Sequence, residues 1–235
     1  AGVHCENAGA IDALIAEAKK EGRFGPENHP LVRPDIMEAE AVHRLLVIAD
    51  AADAPVMIVH LTNQKAFEEV MRARMNGQKV YAETCPQYLL LDDSVYSRPD
   101  FEGAKYVCAP PIRKKADQDC LWKALANGEI QTVATDQCSF TMEQKALGKE
   151  DFTKIPGGLP GVQTRGTLLY TYGVKEGRIT QEQMCKFLSE NPAKLSEREV
   201  AVTETETAAE ETSENETTES ETTEAETTAE TTKAN

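Results

Sequence analysis

Three side chains able to bind a metal or move a proton stand at the ends of three short apolar runs. His4 closes "AGVH", His60 closes "VMIVH" and Asp136 closes "TVATD". Two neutral imidazoles and a carboxylate are a suitable ligand set for Zn2+ or a related divalent ion. Taken singly, each has a plainer reading: a His after a strand is usually a hydrogen-bonded boundary residue, and Asp is a common turn former. The coincidence at three separate strand ends is what points to a metal site. In a parallel α/β barrel such ends converge on one face, where active sites are built.

The elements that would carry these tips can be read from periodicity. Ile11, Leu14, Ile15 and Ala18 recur at helical spacing, with Gly22 as a stop. A Gly- and Pro-rich loop, "GPENHPLVRP", leads to a second helical pattern from about Ile36 to Ala52. Pro55 breaks that pattern, "VMIVH" reads as a buried strand, "KAFEEVMRARMNG" as a helix and "KVYAETC" as the next strand. A long connection through "YVCAPPIRKK" precedes a short amphipathic helix around Cys120–Leu125, and "QTVATD" follows as a strand. Helical patterns around Thr167–Tyr172 and Gln181–Leu188 close this part. Alternating strands and helices imply an α/β fold with a parallel sheet, and both doubly wound sheets and (β/α)8 barrels fit.

Charge divides the chain of 235 residues unevenly. Its net charge is −15, but from Glu199 onward there are twelve Glu against one Lys, a net of −11, so the body carries −15 + 11 = −4. Eleven Glu and twelve Thr, without an aromatic, Leu or Ile, fill Val200 to Asn235. Such a segment cannot offset its chain entropy by burial, so residues 196–235 are expected to be a disordered acidic tail behind a domain over 1–195. No basic surface suggests nucleic acid or anionic lipid as a partner. No apolar stretch approaches the roughly 20 residues that span a bilayer, and no signal peptide is visible. Six scattered cysteines without a C-x-x-C pair read as reduced, mostly buried thiols in a cytoplasmic protein. The opening "AGVHCEN" runs straight into chemistry-bearing residues, so the N-terminus is read as a cut.

The ordered motifs "VHCEN", "GPENHPLVRP", "IVHLT", "AETCPQYL", "APPIR", "TVATDQC", "IPGGLPG" and "NPAKL" resemble, in sequence and in separation, the dihydropyrimidinase/hydantoinase branch of the amidohydrolase superfamily. The resemblance covers about residues 3–195. His4 and His60 stand 56 positions apart, and His60 and Asp136 stand 76 apart, similar to that family's ligands from strands five, six and eight.

The resemblance implies a partial (β/α)8 barrel, about strands 5 to 8, and two bridged divalent ions, Zn2+ by expectation. His4 and His60 would hold one ion. Asp136 would bind the other, take a proton from the attacking water and return it to the departing nitrogen. The implied reaction is ring opening of a dihydropyrimidine or hydantoin to an N-carbamoyl amino acid by a full-length parent, this chain alone being inactive. Ala109 and Gly157 match positions, often Ser and Asn, that hold the substrate through the main chain.

The family's first-strand His-x-His and its fourth-strand Lys, carbamylated to bridge the metals, have no counterpart here and are expected upstream of Ala1. Gln137 stands where hydantoinase-like members usually have His. Self-association, as a tetramer in the parent, is implied too. The alternative reading is a non-catalytic relative acting in assembly or interaction. Among neighbouring residues, Glu83 is a candidate for orienting a ligand imidazole, Cys5 and Cys138 read as buried inert thiols, and His29 and His43 as structural.

Overall fold

The computed structural model describes residues 1–196; the expected acidic tail lies outside the described residues. Four strands form one parallel sheet in the order β1-β2-β3-β4: β1 (Gly2–Val3), β2 (Val56–Ile58), β3 (Val80–Thr84) and β4 (Thr132–Val133). The order follows the sequence without the reversal at which doubly wound sheets turn. The register aligns Val3 with Ile58, Ile58 with Ala82, and Thr84 with Val133.

The crossovers are α1 (Ala8–Lys20) and α2 (Asp35–Ala51) after β1, α3 (Gln64–Met75) after β2, and α4 (Pro86–Leu90) with α5 (Lys115–Ala126) after β3. Local chemistry sets their ends. Asn7 caps α1 by accepting from Ala10 N, and Asn63 caps α3 by accepting from Ala66 N. Gly22, at φ 73°, closes α1 in the left-handed region that glycine enters freely. After β4 come α6 (Met142–Lys145), α7 (Arg165–Leu169), α8 (Gln181–Cys185) and α9 (Asn191–Leu195). A π turn over Lys186–Glu190 joins the last two, where Pro192 cannot donate to the preceding turn. Among the described residues no helix is long and apolar enough to cross a membrane.

Burial along β3 alternates, with Val80, Ala82 and Thr84 buried and Tyr81 and Glu83 half-buried. The buried set joins Val42, Leu46, Ile58, Phe67, Val70, Leu121, Trp122, Leu125 and Val133 in one hydrophobic core. Beneath that core, at the N-terminal rim, Arg74 binds Val80 O at 2.8 Å, Glu129 O at 2.6 Å and Gln131 Oε1 at 2.8 Å, tying α3 to the entries of β3 and β4.

Near the opposite rim lies a fully buried ion pair. Glu38 on α2 is 2% exposed and accepts from Arg113 Nη2 at 2.8 Å, Thr62 N at 3.0 Å, Asn63 Nδ2 at 2.8 Å, and the Thr62 hydroxyl. Arg113 also donates to Thr62 Oγ1 at 2.9 Å and to the carbonyl of Arg33. One carboxylate therefore holds the turn that follows β2. Replacing it with an amide leaves a buried guanidinium without its counter-charge, so Glu38→Gln is expected to destabilise the chain by about 3 kcal/mol or more. Urea unfolding checks this, and Glu38→Leu combined with Arg113→Met is expected to lose less than the sum of the two single changes.

A second buried group ties stability to pH. His29 is 7% exposed, and its Nε2 donates to Cys108 O at 2.7 Å. Burial pushes its pKa down to about 4; Arg33 and Arg113 act in the same direction, while the Cys108 bond and Glu6 oppose them. A folded pKa below the unfolded value of 6.5 means that the unfolded chain takes up the proton first as pH falls. His29 is thus expected to weaken the fold progressively between pH 6.5 and about 4, by roughly 3 kcal/mol in all. In His29→Gln, urea midpoints across that window should flatten by that amount.

Candidate metal centre at the C-terminal rim

Because all four strands are parallel, their C-terminal ends lie along one rim of the sheet. His4 directly follows β1, His60 stands two residues past β2, and Asp136 three residues past β4. The strands are shorter than the sequence pattern suggests, and the last two chemical groups sit on the first turns beyond them.

The two imidazoles meet. His4 Nδ1 and His60 Nε2 are 3.0 Å apart, with ring centroids at 4.8 Å and planes inclined by 67°. Two nitrogens bound to one tetrahedral ion at 2.0–2.1 Å would be about 3.3 Å apart, so this separation suits neighbouring ligands on a single centre. His4 Nε2 donates to Glu6 Oε2 at 3.1 Å, and Arg33 Nη1 donates to the same oxygen at 2.7 Å. That arrangement leaves Nδ1 of His4 as the free lone pair, the tautomer a metal ligand needs. Burial works to raise the Glu6 pKa, but the bonds and charges of His4 and Arg33 outweigh it and hold the carboxyl below its usual range.

His60 is the more enclosed ring. Burial, with His4 beside it, lowers its pKa, against opposing contributions from Asp136 and Glu38, so the neutral imidazole prevails near neutral pH. Its Nδ1 is buried and has no hydrogen-bond partner among the described residues. A buried ring nitrogen without a partner, opposite one that faces a second imidazole, calls for a partner that the described residues do not supply.

Asp136 is exposed at the same rim and close enough to act on the charges of His60, Glu83 and Cys108. It does not close a three-ligand cluster: among the described residues no group of three His, Cys, Asp or Glu side chains is gathered to hold a metal ion. His60 and Asp136 share another feature, φ values of 41° and 50°, in the left-handed region that costs a non-glycine residue on the order of 1 kcal/mol or more.

The residues around them sort differently from their sequence reading. The Glu83 carboxyl accepts from Thr132 Oγ1 at 3.0 Å and from the main chain of His60, so it holds the backbone of His60 and not its imidazole ring; burial raises its pKa. Cys5 is buried, as expected, but Cys138 is exposed, because the chain has already left the sheet at that point. Gln137 accepts from Gly161 N at 2.6 Å and Val162 N at 3.0 Å and clasps the loop 156–162 against the end of β4. Ala109 and Gly157 lie side by side: a Cβ at Gly157 would stand 3.9 Å from Ala109 N. Gly158 shapes its loop, since a side chain there would overlap Cys138 O.

Sequence reasoning passed over Glu6, Arg33, Glu38, Arg113 and Lys145. For Glu6 a signal was present, an acid two positions after His4 on a tip already under suspicion. The others are paired only by the fold.

Comparisons with known proteins agree with this architecture. No protein-family model matches the chain. It is 46% identical over 194 residues to a D-hydantoinase of Geobacillus stearothermophilus and 47% identical over 194 residues to one of Rhizobium radiobacter, which is 82% of this chain and 41% and 42% of those proteins. The chain thus spans about two-fifths of the length of the curated relatives it matches. The crystal structure of dihydropyrimidinase from Brevibacillus agri superposes with a TM-score of 0.82 at 45% identity, covering 83% of this chain and 42% of that one. A dihydroorotase of Saccharomyces cerevisiae, at 15% identity and TM-score 0.60 over 71% of this chain and 45% of that one, shares the fold alone. The parallel α/β sheet with the His4–His60 pair at its rim, joined to this similarity in sequence and structure, leads to one assignment: over the matched residues, the chain belongs to the hydantoinase branch of the amidohydrolase superfamily.

Proposed function

We propose that these residues form strands 5 to 8 of a (β/α)8 barrel, in a domain over 1–195, and that the full-length protein opens a cyclic amide, a dihydropyrimidine or hydantoin ring, to an N-carbamoyl amino acid. The observation that carries the reading is the His4–His60 pair, 3.0 Å apart between ring nitrogens, at the C-terminal rim of a parallel sheet. Four parallel strands leave two sheet edges open, which further strands would pair.

The donor set fits a divalent metal centre: His4 and His60 would share one ion, and Asp136 would reach a second, with Zn2+ the favoured metal for this mixture of imidazole and carboxylate. When bound, such ions lower the pKa of water and polarise a carbonyl, which allows amide hydrolysis near neutral pH. The chain's own residues do the rest. Glu6 keeps the Nδ1 lone pair of His4 available, and burial keeps His60 neutral. Asp136, exposed at the rim, takes the proton of the attacking water and passes it to the departing ring nitrogen. Main-chain groups of Ala109 and Gly157, adjacent beside the end of β4, hold the ring. Six unpaired cysteines support a cytoplasmic setting, and self-association into a tetramer is part of the same reading.

Asp136→Asn in the full-length protein should lower kcat for hydantoin by about a hundredfold or more, read by release of the N-carbamoyl product, with KM little changed. Undiminished turnover removes Asp136 from this role. The 235-residue chain alone is expected to bind zinc weakly and to show no turnover. Dialysis followed by elemental analysis checks the first point, and tight stoichiometric uptake contradicts it.

A further inference from the structure

Lys145, at the end of α6, is 3% exposed and carries a cation into the interior without an ion-pair partner among the described residues. Its ammonium donates to three carbonyls, Val107 O at 2.9 Å, Pro156 O at 3.1 Å and Gly158 O at 3.0 Å. Three N–H donors meet three acceptors, which exhausts what a lysine can give. Burial lowers its pKa. A desolvated charge is a costly way to fill space, and an apolar side chain would fill it more cheaply. What the charge achieves is a junction between two loops, 107–110 and 156–158.

Those loops contain the peptide units Cys108–Ala109 and Pro156–Gly157, and their carbonyls are occupied from behind. Buried His29 donates to Cys108 O at 2.7 Å, and Lys145 donates to Pro156 O at 3.1 Å. The N–H groups of Ala109 and Gly157 donate to no other group among the described residues. The two positions are adjacent, and Gly157 is exposed while Ala109 is half-buried, so a ligand can reach them. Peptide resonance couples the two ends of each unit, so a donor on the oxygen draws electron density from the nitrogen and strengthens its N–H as a donor. A cation does this more strongly than a neutral group. The loop after Gly157 then runs beside the segment that bears Asp136, through Cys138 N to Leu159 O at 3.1 Å.

We propose that Lys145 and His29 are positioning residues that fix and polarise two free main-chain donors, Ala109 N–H and Gly157 N–H, for a carbonyl oxygen of the cyclic amide. This rests on the hydrolase reading of the rim. The roles of Lys145 and His29 go beyond it: neither touches substrate, and both act through a peptide bond.

Steady-state kinetics with hydantoin in the full-length protein test the proposal. Lys145→Met and His29→Leu should each raise KM about tenfold while kcat stays within about threefold, and His29→Gln, which restores a donor to Cys108 O, should recover most of the loss. Hydrogen exchange on the 235-residue chain supplies a readout independent of turnover. In Lys145→Met, exchange of the Gly158 amide, bonded to Val107 O at 2.9 Å, and of the Cys138 amide, bonded to Leu159 O at 3.1 Å, should quicken by about tenfold or more, with the amides of β2 and β3 unaffected. An unchanged KM, a parallel fall of kcat and kcat/KM, or exchange that quickens everywhere or nowhere overturns the positioning role. A wild-type protein that opens no cyclic amide instead sinks the hydrolase reading; selective loosening of the two loops would then still assign Lys145 their junction.

Discussion

A carboxylate sealed from water must be neutralised and fully hydrogen-bonded, and the way Glu38 meets that demand organises the rim of this sheet. Its partners come from two distant segments: Arg113 in the connection between α4 and α5, and Thr62 and Asn63 in the turn after β2. The same Arg113 reaches the carbonyl of Arg33, and Arg33 in turn fixes Glu6 behind His4. The backbones that carry His4 and His60 are therefore anchored to one buried charge network. The energetic logic is asymmetric. A buried ion pair contributes little net stability against an apolar substitute, but losing one member is expensive. Such a network is better suited to fixing geometry than to adding stability.

Geometry at this rim carries strain. His60 and Asp136 both occupy left-handed backbone conformations, and neither is glycine. Asp and His enter that region more readily than most residues, yet each still pays about a kilocalorie per mole or more. The benefit is directional. A strand that ended in ordinary extended backbone would continue its alternation of faces, whereas a left-handed residue turns the chain sharply at the point where its side chain is needed. The turn at His60 is held by Glu83 from one side and, through Thr62 and Asn63, by Glu38 from the other. After Asp136, Gln137 performs the holding by accepting from two successive main-chain N–H groups. An amide can accept in this way without a charge, so Gln137 acts here as a loop clasp.

The opposite rim is arranged for stability. Arg74 satisfies main-chain and side-chain acceptors at the entries of two strands. That division, with the candidate ligands at the C-terminal rim and stapling at the N-terminal one, follows from parallel strand direction: every tip that points the same way belongs to a different stretch of sequence, and loops there can vary without disturbing the sheet.

Several features were legible in the one-dimensional pattern. The alternation of β-branched runs with helical periodicity determined the α/β class, because parallel strands are buried on both faces and must be joined by crossovers. The ordered motifs determined the family, and the positions of His4, His60 and Asp136 at the ends of apolar runs marked them as candidates. Other features depended on distances through space between residues remote in sequence. Only the fold could bring Nδ1 of His4 to 3.0 Å from Nε2 of His60, leave Asp136 apart from them, and turn Glu83 toward a main chain in place of an imidazole. Cys138 was misjudged as buried because hydrophobic pattern says nothing of a chain that has already left its strand. Lys145 was invisible for the opposite reason: a lysine in a polar run reads as surface, and its burial follows from three carbonyls that two separate loops present together. Periodicity and motif are local properties, written in neighbouring residues; coordination, strain and desolvation belong to contacts that exist only once the chain has closed upon itself.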